Sequence, residues 1–164
     1  MSGLDGPLRA LALALAAKKA EQQADPLAGF GWPSEKHSKA FRYVSQGLEL
    51  HLRAANYGAK TFSGAAFAVA CARGLETLDG IPIPVTKVPS VGAVAVRDYG
   101  QQVDSSQAAI LHWLGDWPHE VSWINKGLGY AGTIRIKPDG WKDDDPETWS
   151  RIVFVSQENA DKAL

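Results

Sequence analysis

Hydrophobic period changes once along this chain, and the change limits the folds open to it. Up to about residue 78, apolar side chains recur at three- and four-residue steps, the repeat of one helix face. From Ile81 onward they alternate with polar residues or run together in short blocks, the pattern of strands. Helices first and strands afterwards describe an α+β protein, not the alternating order of a parallel doubly wound sheet.

Leu4, Leu8, Leu11 and Leu15 are spaced 4, 3 and 4 and form one stripe. Asp5 and Pro7 suit the first turn of that helix. Asp25-Pro26 should end it, because proline pushes the residue before it out of the α region. Ser34 and Glu35 open a second helix, whose face is Phe41, Val44, Leu48, Leu52 and Ala55. A third runs from about Ser63 to Leu78 through Gly64, Ala65, Ala66, Ala68, Ala70, Cys71 and Ala72. Polar residues enter it only at Arg73 and Glu76, so it should be a buried, central helix.

In the second half, Ile81, Ile83 and Val85 alternate with Pro82, Pro84 and Thr86, an edge strand or extended segment. Val91–Val96, Glu120–Ile124, Tyr130–Lys137 and Arg151–Ser156 read as strands. Asp104, with Gln107 three residues on, opens an inserted helix. The expected fold is α+β: helices over about 4–24, 34–56 and 63–78, packed on a mainly antiparallel sheet with one inserted helix over about 104–115. A chain of 164 residues suits a single domain, 1–164, with 1–25 a helix free to protrude.

Charge and sulfur narrow the function classes. The formal net charge is −1, so the chain lacks the cationic surplus that a nucleic-acid surface needs. No apolar run reaches the ~18 residues of a membrane span. The single cysteine, Cys71, excludes an internal disulfide and a cysteine-based zinc site. Asp5 and Arg9 precede the apolar run Leu11–Ala17, and Lys18 and Lys19 follow it. A signal peptide carries its positive charge first. The segment therefore reads as a retained helix, and a cytoplasmic or particle-associated location is favoured over secretion by a signal peptide.

Candidate chemistry is sparse. Cys71 and His119 are a thiol and an imidazole that a fold could bring together as nucleophile and base. Yet Cys71 lies about two turns into its helix, where burial raises a thiol's pKa. Residues 62–124 resemble the NlpC/P60 and CHAP cell-wall hydrolases in their order of elements. The likeness rests on a small-residue helix (FSGAAFAVACARGL), a strand (VGAVAV) and a histidine opening a later strand (HEVSWI). The resemblance implies thiol-dependent cleavage of a cell-wall peptide or similar amide. Those families place their cysteine at the start of the helix, where this chain has Phe62 before Ser63-Gly64.

His112 and Asp116 share a helix face near His119 and Glu120, but Pro118 breaks the helix between them, and no metal site is assigned. Asp143-Asp144-Asp145 matches no EF-hand loop. Gly127, Gly129 and Gly132 have G-x-G-x-x-G spacing but precede a strand, so no dinucleotide cofactor is expected. Ser63, Ser105 and Ser106 match no nucleophile elbow.

Two surfaces remain. The Leu4, Leu8, Leu11, Leu15 stripe could dock on a partner helix or a second copy of the chain. Trp113, Trp117, Trp141 and Trp149, clustered with Trp123 and Tyr130, could form a stacking platform for a peptide or glycan. The favoured expectation is a non-catalytic interaction or assembly subunit, acting through either surface on a protein partner or on itself. A cysteine hydrolase using Cys71 and His119 is the alternative.

Overall fold

A computed structural model describes residues 5–46, 59–84, 87–96 and 98–156. Helix α1 (Asp5–Ala24) ends where Asp25-Pro26 requires, and a short 3-10 turn, Pro26–Gly29, follows. Leu27 and Phe30 of this connector are buried, so the chain enters the core only after α1 has finished. α2 (Glu35–Ser45) has an extended residue, Ser34, at its N-cap and a Glu35–Lys39 pair one turn apart. It buries Ala40 and Phe41. The rest of the expected second helix, with Leu48, Leu52 and Ala55, lies outside the described residues, as does Leu4.

α3 (Lys60–Arg73) is the central helix. Ala66, Val69 and Ala70 have no exposed surface, and Phe67 is buried beside them. It stops five residues before the expected end at Leu78. Gly74 takes the left-handed conformation at φ +76°, and its N–H bonds back to the carbonyls of Ala70 and Cys71. The residues expected to continue the helix form instead a small hairpin, β1 (Thr77–Leu78) against β2 (Ile81–Pro82). Asp79 and Gly80 make its two-residue turn, both at positive φ.

The main sheet holds β3 (Val91–Val96), β4 (His119–Asn125), β5 (Tyr130–Ile136) and β6 (Ser150–Ser156), in the order β3-β6-β5-β4. The β4–β5 and β5–β6 pairs are antiparallel, as expected. The β3–β6 pair is parallel, with Gly92 opposite Ile152 and Val94 opposite Phe154. Between β3 and β4 the helical insertion begins earlier than the expected 104. Asp98 is the cap, its carboxylate accepting from Gln101 N–H at 2.7 Å. α4 (Tyr99–Gln102), a π-helical turn (Val103–Gln107) and α5 (Ala108–Leu114) then run on without a break.

Two glutamines tie this insertion to the sheet. Gln102 Nε2 donates to the Ala131 carbonyl at 2.7 Å, and Gln107 Oε1 accepts from Ala131 N–H at 3.1 Å. Each is buried, so these bonds satisfy backbone groups that water does not reach. One face of the sheet, carrying Ala131, Ile134, Ile136, Ile152 and Phe154, joins α3 and α5 in one hydrophobic core. The architecture is α+β.

Arg73 closes the structure at the C-terminus of α3. It is 4% exposed. Its Nε and Nη2 donate to the two oxygens of Asp139 at 2.8 and 3.1 Å, and its Nη1 donates to Asp25 at 2.7 Å. The guanidinium also lies 3.6 Å from the centre of the Trp117 ring. One side chain thus joins the root of α1, the Pro138-Asp139-Gly140 turn and the segment after α5. These two anions hold the guanidinium pKa above its ordinary value, against the opposing pull of burial. Gly115, at φ +51°, lies where the root of α1 meets α5; a Cβ there would collide with the Gln23 carbonyl and Pro26.

Candidate functional site

The cysteine and the histidine occupy different parts of the sheet layer. Cys71 lines a cavity of about 230 Å³ between α3, β3 and the start of β6, with Ala68, Ala72, Ser90, Val91 and Ile152 among its walls. A second cavity, about 410 Å³, continues along β3 and shares Ala68, Ala93 and Val94. His119 opens β4, the opposite edge of the sheet, and its Nδ1–H donates to the Trp117 carbonyl at 2.7 Å. Three strand spacings separate β3 from β4, about 14 Å. Burial pushes the Cys71 thiol up to about 11.

That value sets a reactivity. A thiol with an ordinary pKa of 9.0 carries about a hundred times more thiolate at neutral pH than one near 11. Alkylation of native Cys71 is therefore expected to run about a hundredfold slower than in denatured chain. Its rate should climb about tenfold per pH unit until pH approaches 11. Iodoacetamide kinetics against pH check this; a native rate equal to the denatured one at neutral pH contradicts it.

The four tryptophans of the expected platform each spend their indole N–H inside the chain. Trp113 is 6% exposed and donates to the Phe62 carbonyl at 2.9 Å. Its ring meets Phe30, Phe62 and His112, and Phe30 extends the cluster through Trp32 to Phe41 and Phe67. Trp117 donates to Lys137 O and carries Arg73 on its face. Trp141 donates to Thr148 Oγ1, and Trp149 donates to Asp143 O, so both brace the loop between β5 and β6. Only Trp113 is fully enclosed; the other three are half-buried. The acidic run is internally engaged too: Asp143 and Asp145 accept backbone N–H bonds, and Asp144 pairs with Lys137. Among the described residues, no group of three or more His, Cys, Asp or Glu is placed to hold a metal ion.

The N-terminal stripe is open. Leu8, Leu11 and Leu15 are 63%, 57% and 60% exposed, and Leu13, on another side of α1, is 64% exposed. Every residue from Leu8 to Glu21 is exposed. Ala10–Ala17 is therefore a helical stretch apolar on all sides and bare on all sides. No helix among the described residues is long and apolar enough to cross a membrane.

A further bare surface, absent from the sequence reading, is the outer face of β3 and β6. Pairing sets Val91 beside Arg151, Ala93 beside Val153 and Ala95 beside Val155, and strand alternation turns these side chains opposite to the buried Ile152 and Phe154, so β3 meets the cavities through its backbone at those positions. Val91 is 66% exposed and Val155 40%. The signal was present in the sequence: VGAVAV and Ile152–Val155 are apolar on both faces, the pattern of strands covered on both sides. Comparison with protein-family models, with curated proteins and with solved structures finds no match to this chain.

Proposed function

We propose that the chain is a non-catalytic assembly subunit that associates with a protein partner or a second copy through α1. The observation that carries this reading is the exposure of Leu8, Leu11, Leu13 and Leu15 on a helix that is apolar all round. Such a helix is stable in water only when its sides are covered. Burying one leucine is worth about 1.5–3 kcal/mol, so covering the face that carries Leu8, Leu11 and Leu15 supplies a driving force for association. The exposure of α1 from Leu8 to Glu21, ahead of the buried Leu27, leaves it free to dock without disturbing the core.

Sedimentation velocity tests the self-association form. The native chain is expected to sediment above monomer mass, and Leu11→Asp as a monomer. At concentrations low enough for both chains to be monomeric, urea unfolding of Leu11→Asp should stay within about 0.5 kcal/mol of native, because the side chain is exposed in the single chain. A native chain that stays monomeric at high concentration and binds no partner through α1 refutes the proposal.

The cysteine-hydrolase reading draws its support from the cavity beside Cys71. The high thiol pKa and the placement of His119 on the far edge weigh on the other side.

A further inference from the structure

We infer that the apolar helix α1 of one copy covers the outer face of β3 and β6 of a second copy, by reciprocal exchange. The inference rests on the assembly reading above and names the surface that α1 meets.

Three observations point to it. First, β3–β6 is the one parallel pair of the sheet, and both strands are apolar on both faces. Parallel pairs of that composition are sandwiched between helices. Here α3 lies over the inner face, against Ile152 and Phe154 and with the two cavities between it and β3, while Val91, Ala93 and Val155 stand open. Second, among the described residues one helix stands without cover, and it is apolar on every side along Ala10–Ala17. Each surface lacks the kind of element that the other supplies.

Third, the dimensions agree. Eight helical residues span about 12 Å, and a helix is about 10 Å across. Two adjacent strands present a strip about 10 Å wide, and six strand residues run about 20 Å. The apolar stretch of α1 therefore fits on β3–β6, with the rest of the 20-residue helix, about 30 Å in all, running past the strip. A strip of this size is small for one stable contact, and exchange about a two-fold axis doubles it and closes the assembly. Charge permits the fit, since the strip between Arg151 at its edge and the apolar centre holds no other ionisable side chain among the described residues.

Complementation between two variants separates this from helix-to-helix pairing. Leu11→Asp spoils the helix and keeps the strip; Val155→Asp spoils the strip and keeps the helix. Each variant alone is expected to dissociate at least about a hundredfold more readily than native in sedimentation equilibrium. Mixed in equal amounts, they keep one sound helix on one sound strip, so the mixture should associate more tightly than either variant alone and less tightly than native. Ala93→Asp, on the neighbouring strand, should behave as Val155→Asp does and guards against a folding defect in either. If both strip variants associate as native while Leu11→Asp is monomeric, α1 docks elsewhere: this inference falls and the assembly reading stands. A mixture that associates no more tightly than either variant alone, at any concentration at which the native chain is fully assembled, refutes the exchange. A native chain that is itself monomeric refutes the inference.

Discussion

Arg73→Met is expected to lower the unfolding free energy by about 3 kcal/mol, with the melting temperature falling by about 6–12 °C. Methionine keeps most of the stem's packing and removes the charge, so the loss isolates the guanidinium. That group makes a two-pronged bond to Asp139, a third bond to Asp25 and a face contact with Trp117. Charge-assisted bonds of this kind are worth about twice a neutral one. The effect stops short of the cost of a fully buried orphan charge, because the two carboxylates keep 29% and 38% exposure and regain water. Asp139→Ala reverses the imbalance: it leaves a cation that is 4% exposed with Asp25 alone, and should cost about as much. Urea titrations of both variants provide the measurement. A loss under about 1 kcal/mol in each would mean that the cluster is ornamental to stability.

Trp113→Ala is expected to cost about 4 kcal/mol, in the range for removing a large aromatic from a core. The ring sits between Phe30 at 5.1 Å and Phe62 at 4.4 Å, and joins the connector after α1 to α3. Its removal opens a cavity and takes away the indole's hydrogen bond to the Phe62 carbonyl. Trp123→Ala serves as the contrast. That side chain is 40% exposed on β4, so its loss should stay under about 1 kcal/mol. Thermal melts of the pair discriminate a core role for Trp113 from a ligand platform. A Trp113→Ala chain that melts like native would leave the indole free for recognition.

The elements that were legible in the sequence are those whose signals are local. The leucine stripe and Asp25-Pro26 delimit α1 to within a residue, and four strands fall within one or two positions of their periodic runs. The errors arise where a local signal was outweighed or overlooked. Gly74 ends α3 because only a left-handed residue lets its N–H turn back to Ala70, and the helical pattern beyond it is accidental. Asp79-Gly80 is a strong hairpin signal hidden between a helical pattern and two prolines. Asp104 looked like a cap, but Asp98 stands nearer the end of β3 and captures the role.

The parallel pairing of β3 with β6 was not legible, because it joins residues sixty apart and periodicity carries no information about neighbours. The same gap hid the outer strip, which exists only once Val91, Ala93, Val153 and Val155 lie side by side. Among the tryptophans, composition placed five within one stretch, yet burial is decided by distant partners. Trp113 is enclosed because Phe30 and Phe62 come to it from the first half of the chain.

The tie between Arg73 and Asp25 has a mechanical side. Asp25 is the first residue beyond α1, so tension along that helix would reach the guanidinium before the rest of the chain. The load would then divide between the Asp139 turn and the end of α3. A chain held by α1 in a larger structure would hang from this clamp, and the pull would pass through it to the end of the central helix.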